Sequence, residues 1–285
     1  MQITIAPGVR LFVDVEGPGL VPDGPRMRER PTLLLLHGGP GYDHAGFKPA
    51  FSRLADLAQI VYLDHRGHGR SSPRPAAEWT LDTFADDVVR LCEVLGIERP
   101  IVLGQSFGGF VAQRYLARHP GHPAAVVLSS TSPQLGLARK LARFERLGGP
   151  AARAAAEAFW TAPGEATWAA YGRICLPLYN TRPQDPQARE RTRYRPEILF
   201  ASAGGEQRGM DLLPGLAAVR CPVLVLAGED DPVCPVEDAR DIAAAIPAPW
   251  GRLVTIPDAG HGTWRDQPDA AFAVLRAFIA EVAPA

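Results

Sequence analysis

A serine with glycine two residues before it and two residues after it is the first group in this chain that could do chemistry. The stretch reads G-Q-S-F-G, with Gly104, Gln105, Ser106, Phe107 and Gly108 in order. It follows a short apolar run, Ile101–Leu103, and opens an apolar-periodic segment, Phe107–His119. A strand that turns directly into a helix holds its middle residue in a strained backbone and drives the neighbours together. Glycine at positions 104 and 108 removes that collision. The spacing therefore predicts a Ser106 Oγ exposed at the end of a buried strand. The N–H of Phe107, at the first turn of the helix, would point at any oxygen bound there.

A serine hydroxyl is a poor nucleophile without a base, and the base needs a carboxylate to orient it. His261 lies in D-A-G-H-G-T-W, a glycine-flanked loop directly after an expected strand, Leu253–Ile256. In a parallel sheet that loop shares an edge with Ser106. His37, His65 and His68 also fall at strand ends and stand as alternative bases, while His119 and His122 flank Pro120 and are expected to be exposed at a helix end. The loop after Ala125–Leu128 reads S-S-T-S-P and holds no acid; the loop after Val223–Ala227 reads G-E-D-D-P and offers Glu229, Asp230 and Asp231. The chain order is then Ser, acid, His. A metal reading of Asp64, His65 and His68 lacks a further ligand at a recognisable spacing, so no metal is expected.

Buried strands and amphipathic helices must alternate to place these groups. Thr32–Leu36 and Ile60–Leu63 read as strands buried on both faces. Thr80 is a candidate N-cap for a helix that runs to Leu95 and stops at Gly96. Val236–Ile246 reads as a helix opened by Pro235, and Pro268–Val282 as a closing helix. The N-terminus alternates like a strand pair turning at Pro7-Gly8. The βαβα order predicts an α/β fold with a mostly parallel central sheet and helices on both faces. From Pro133 to Leu216 the character changes to amphipathic and alanine-rich helix among Pro- and Arg-rich stretches. We expect a core of residues 1–132 and 217–285 and a helical cap insertion of residues 133–216. The cap carries twelve basic and eight acidic residues, about +4 on a chain of net charge −1. Its aromatics Phe159, Trp160, Trp168 and Tyr171, with Gln105 and with Trp264 three residues after His261, are candidates to line a substrate pocket.

The near-zero net charge argues against nucleic acid or an anionic membrane as a partner. Cys92, Cys175, Cys221 and Cys234 show neither a CxxC pair nor zinc spacing, as expected of buried thiols in a cytoplasmic protein. No basic leader precedes a long apolar run, and no apolar run approaches bilayer length. Lys48 and Lys140 are the only lysines.

Taken together, these residues resemble the α/β-hydrolase superfamily over essentially the whole chain. H-G-G-P-G, His37 to Gly41, resembles the proline iminopeptidase (prolyl aminopeptidase) branch. The resemblance implies Asp231 as the acid, three residues after the glycine that ends its strand, with Asp230 as the fallback. It implies the N–H of Gly39 as a second oxyanion donor beside that of Phe107. D-H-R-G-H-G-R-S, Asp64 to Ser71, resembles a stretch whose Asp and Arg brace their loop. In the peptidase branch, carboxylates in and under the cap hold the substrate's α-amino group; here Glu197, Glu206 and Asp211 would have to serve, and Pro232 stands after Asp231 where some members carry a glutamate. The function implied is that of a cofactor-independent serine hydrolase acting through an acyl-enzyme on a small-molecule ester, lactone or amide. Release of N-terminal proline from short peptides is the alternative, followed by C–C bond hydrolysis and by a lyase, acyltransferase or ligand receptor on the same fold. The oligomeric state is left open.

Overall fold

The computed structural model describes residues 1–183 and 185–283. Eight strands form one sheet in the order β1 (Gln2–Ala6), β2 (Val9–Glu16), β6 (Gln59–Asp64), β5 (Thr32–Leu36), β7 (Ile101–Gln105), β8 (Ala125–Ser129), β9 (Val223–Gly228) and β10 (Gly251–Ile256). β1 and β2 run antiparallel at one edge, and the rest from β6 to β10 are parallel. A separate hairpin, β3 (Leu20–Asp23) and β4 (Arg26–Glu29), is largely solvent-exposed.

The leucines of β5 explain why the sheet is covered on both faces. Leu34 and Leu36 pack into one core cluster with α1 (Leu81–Leu95) and α2 (Phe107–Arg118), while Leu33 and Leu35 pack into a second on the opposite face. Each fully buried leucine contributes about 2 kcal/mol relative to an exposed one, so neither face can be left open. α1 begins where Thr80 accepts the N–H of Thr83 and ends at Gly96 in the left-handed conformation. Pro235 lies one position before α9 (Val236–Ala245), as its N-cap, and the second face is closed by α11 (Pro268–Val282).

Between β8 and β9 the chain forms α3 (Leu137–Thr161), α4 (Glu165–Ile174), α5 (Ala188–Arg191), α6 (Pro196–Gly204), α7 (Glu206–Gly209) and α8 (Leu213–Leu216). The two helical stretches expected at its start are joined across a kink at Gly149, whose φ of 71° precedes Pro150. Leu141, Phe144, Phe159, Trp160, Tyr171 and Leu199 form a third apolar cluster, which also takes in Val233 and Cys234. The two ends of the segment meet: Gln134 bridges Asp211, and the Leu212 N–H donates to the Pro133 carbonyl at 3.0 Å. Met210, Leu212 and Leu216 pack into the first core cluster. Among the described residues, no helix is long and apolar enough to cross a membrane. All four cysteines are buried and unpaired.

Candidate active site

Ser106 follows β7 and caps α2 with φ 53° and ψ −115°, a conformation an L-residue adopts only under constraint. A Cβ on Gly104 would overlap the carbonyl of Gly108, and one on Gly108 would overlap that of Leu36. Neither position has room for a side chain. Thr131 braces the turn from below, its hydroxyl donating to the Ser106 carbonyl at 2.8 Å. The N–H groups of Gly39 and Phe107 have no protein acceptor among the described residues. Gln105 lies along the glycine loop, where a Cβ on Gly38 would overlap its side-chain oxygen.

Asp231 follows β9 and is fully buried. Its Oδ1 accepts the N–H groups of Val233 at 2.8 Å and Cys234 at 2.9 Å, and its Oδ2 meets His261 Nδ1 at 2.8 Å. The two neighbouring acids turn away. Glu229 accepts from the Thr255 hydroxyl, and Asp230 pairs with Arg146. Burial alone would lower the pKa of His261, but the adjoining Asp231 carboxylate outweighs it and leaves the imidazole raised above its ordinary value. His261 is also held from the other side, because its N–H donates to the Tyr179 carbonyl at 2.7 Å and the two rings lie edge to face 5.3 Å apart. Ser106 and His261 line the same cavity, of about 1440 Å³; among the described residues no hydrogen bond joins their side chains.

The other strand-end histidines do different work. His37, His65 and His68 form a buried cluster of tilted and edge-to-face rings, with centroids 4.5 to 5.7 Å apart. Desolvation lowers all three, His68 to about 3, so they stay neutral. His37 Nε2 accepts the N–H of His65 at 3.2 Å, a brace for two loops. His119 and His122, expected to be exposed, are half-buried: His119 pairs with Asp86 and His122 with the Tyr115 hydroxyl. Asp64 takes the His44 side chain and N–H and the N–H of Arg70, while Arg66 grips Asp87 through two bonds, the bracing expected of that loop.

Trp160, Trp168, Trp264 and Phe159 line the cavity with Gln105. Tyr171 does not. It is fully buried one layer behind Tyr179, to whose hydroxyl its own is bonded at 2.8 Å, so the helix that places Trp168 on the wall turns Tyr171 into the interior of the inserted helices. None of Glu197, Glu206 and Asp211 lines the cavity; Glu206 instead accepts the N–H of Leu81 at the start of α1. Sequence reasoning passed over three residues that shape the site. Tyr42, at the end of H-G-G-P-G-Y, lines the cavity with its phenol pushed up to about 12 by burial. Asp266 accepts the N–H of Gly260 at 2.8 Å, the Asn180 amide at 3.0 Å and the N–H of Arg182 at 3.1 Å, tying the His261 loop to the inserted segment. Tyr179 is the third. Asp231, Cys234 and His261 bring donor atoms within 4.8 Å of one another, but both Asp231 oxygens are already occupied by N–H groups or the imidazole, which suits a hydrogen-bonded pair better than a metal.

A family model described as the alpha/beta hydrolase fold matches residues 31–263. The proline iminopeptidase PfmaB of Pestalotiopsis fici is 25% identical over 282 residues, covering 94% of this chain and 98% of that protein. The bifunctional esterase/perhydrolase DCH of Acinetobacter calcoaceticus is 26% identical over 297 residues, covering 97% and 98%. Among solved structures, the proline iminopeptidase of Mycobacterium smegmatis superposes with a TM-score of 0.76 at 23% identity, covering 99% of this chain and 98% of that one.

Proposed function

Because the chain belongs to the α/β-hydrolase family, we propose that it is a cofactor-independent serine hydrolase that acts on small esters or lactones through an acyl-enzyme. The observation that carries this reading is the buried Asp231–His261 pair at 2.8 Å, facing across one cavity a serine held at φ 53°.

In this reading His261 Nε2 takes the Ser106 proton as Oγ attacks the substrate carbonyl. The oxyanion accepts from the N–H groups of Gly39 and Phe107. As the tetrahedral intermediate collapses, His261 returns the proton to the leaving group. Water, deprotonated by the same imidazole, then attacks the acyl carbon and frees Ser106. Asp231 fixes the imidazole tautomer and offsets its positive charge. Residues 133–216 form the cap, and Trp160, Trp168 and Trp264 give the cavity its apolar walls.

The H-G-G-P-G loop favours a second reading, proline iminopeptidase, the activity named for PfmaB. That chemistry needs a free carboxylate for the substrate's ammonium. The two acids that line the cavity, among the described residues, are both engaged: Asp43 by Arg70 and the N–H groups of Ala45 and Arg193, and Asp185 by Arg191. This supports the ester or lactone.

The test compares kcat/KM for a short-chain p-nitrophenyl ester with that for proline p-nitroanilide, in the wild type and in Ser106→Ala. Ester cleavage that disappears in Ser106→Ala is expected. Ser106-dependent anilide cleavage above ester cleavage would replace the reading with the peptidase, and ester cleavage surviving in Ser106→Ala would sink the mechanism.

A further inference from the structure

Lys140 stands out among the basic residues of α3. Its helix neighbours Arg139 and Arg143 reach outward to carboxylates of α9, Arg139 to Asp238 and Asp241 and Arg143 to Glu237. Lys140 points the other way. It is 1% exposed, lines the cavity, and donates to the Val233 carbonyl, two residues beyond Asp231. Its Nζ lies 5.6 Å from the centre of the Trp160 ring. Among the described residues no carboxylate pairs with it. An ammonium has three N–H donors and Val233 uses one. A buried charge without a counter-ion is costly, and an apolar residue of similar length would fill the space without that cost. In a chain where every other basic residue except Lys48 is arginine, a lysine here is a conspicuous exception.

Two further buried polar atoms belong to residues of the cavity wall. Among the described residues, Trp160 Nε1 and Gln207 Oε1 have no hydrogen-bond partner, and both residues line the wall. Arg208, the residue after Gln207, donates to the Thr161 carbonyl at the end of α3. Buried polar groups are almost always paired, so these atoms mark a place where a bound molecule supplies the partner. The free donors are the two spare ammonium N–H groups and the indole N–H, while Gln207 Oε1 is a free acceptor. The three donors suit a group with two acceptor oxygens and a negative charge. The charge on the wall agrees. The described lining holds seven basic and two acidic side chains; both acids are paired, and of the bases Lys48 and Arg191 are paired with carboxylates, so the wall keeps an excess of positive charge that favours an anion over an ammonium.

We infer that the substrate carries a carboxylate, held at the cap end of the cavity by Lys140 with the Trp160 indole N–H, while its ester or lactone carbonyl lies at Ser106. This rests on the hydrolase reading of the same cavity and adds the substrate's charge to it.

The test uses mono-p-nitrophenyl glutarate, adipate and suberate, each beside its methyl-capped neutral analogue. The readout is the ratio of kcat/KM for acid over capped ester, in the wild type and in Lys140→Met. For at least one chain length the wild-type ratio should exceed about ten, and Lys140→Met should lower it by about tenfold or more, the range for a charge-assisted hydrogen bond. A wild type that prefers the capped ester at every length overturns the inference while leaving the hydrolase reading intact. A ratio that Lys140→Met leaves unchanged also overturns it, and makes Lys140 a strut between α3 and the Val233 loop. If Lys140→Met does not fold, Lys140→Gln takes its place, and the wild-type ratio stands without either variant. If no ester is turned over with Ser106 dependence, the hydrolase reading fails separately. Calorimetry with the free dicarboxylates against their diamides then decides the inference: binding of an acid and not of its amide supports it, and equal binding or none overturns it.

Discussion

The N–H of His261 donates to the carbonyl of Tyr179 at 2.7 Å, so the loop that carries the candidate base is held by the inserted segment as well as by the sheet. The Asp231 carboxylate grips the ring from one side, and the backbone of Tyr179, far earlier in the chain, grips the loop from the other. The position of the base thus depends on a contact between segments far apart in the chain.

Asp266 is the fastening of that arrangement. Its buried carboxylate gathers three donors, two of them from Asn180 and Arg182 beside Tyr179. Asp266→Ala leaves those groups unpaired, at a cost of about 2–4 kcal/mol in urea unfolding. It should also lower kcat for the ester more than it raises KM, because His261 loses its position. A variant with wild-type stability and wild-type kcat would show that the fastening is dispensable.

Asp231→Asn should lower kcat by roughly 10⁴, since an amide holds the imidazole in the wrong tautomer. Asp230 is half-exposed and paired with Arg146, so Asp230→Asn should stay within about threefold of the wild type. Steady-state kinetics on both variants decide between the two acids, and the opposite ranking would move the acid to Asp230.

The pH profile follows from the same pair. Burial opposes a charged His261, and the Asp231 carboxylate overrides it and raises the imidazole pKa. The base works only when deprotonated, so the rising limb of kcat/KM should lie above the ordinary histidine value of about 6.5. Asp231→Asn removes the charge that raises it, and the limb should move to lower pH in the residual activity. A wild-type limb below pH 6, or no movement in the variant, would contradict this electrostatic account.

What could be read in the sequence was whatever depends on neighbours along the chain. The Gly104–Ser106–Gly108 turn is legible because the collisions it relieves are local, and α1 is legible because Thr80 and Gly96 mark both its ends. The three consecutive acids after β9 carry no periodicity, and the residues alone left Glu229, Asp230 and Asp231 open. Folding separates them by turning two outward and burying one. The β3–β4 hairpin went unseen because strands exposed on both faces have no apolar alternation. Tyr171 was misplaced because its helix is apolar on more than one side, and only packing against Tyr179 decides which side meets the cavity. Tyr179, Asp266 and Lys140 owe their places to segments that meet only in three dimensions.

The pinned ends of the inserted segment have a consequence for how such a chain can diversify. With Gln134 and Asp211 side by side, the segment leaves and rejoins the rest of the fold at nearly one point, as a cassette would. A replacement of different length can be spliced there without altering strand order, and the molecule's choice of partner can drift while its sheet stays fixed. The Tyr179 carbonyl limits that freedom. Any replacement must bring its own acceptor to the His261 loop, so the cassettes this scaffold can accept are those that carry the strut with them.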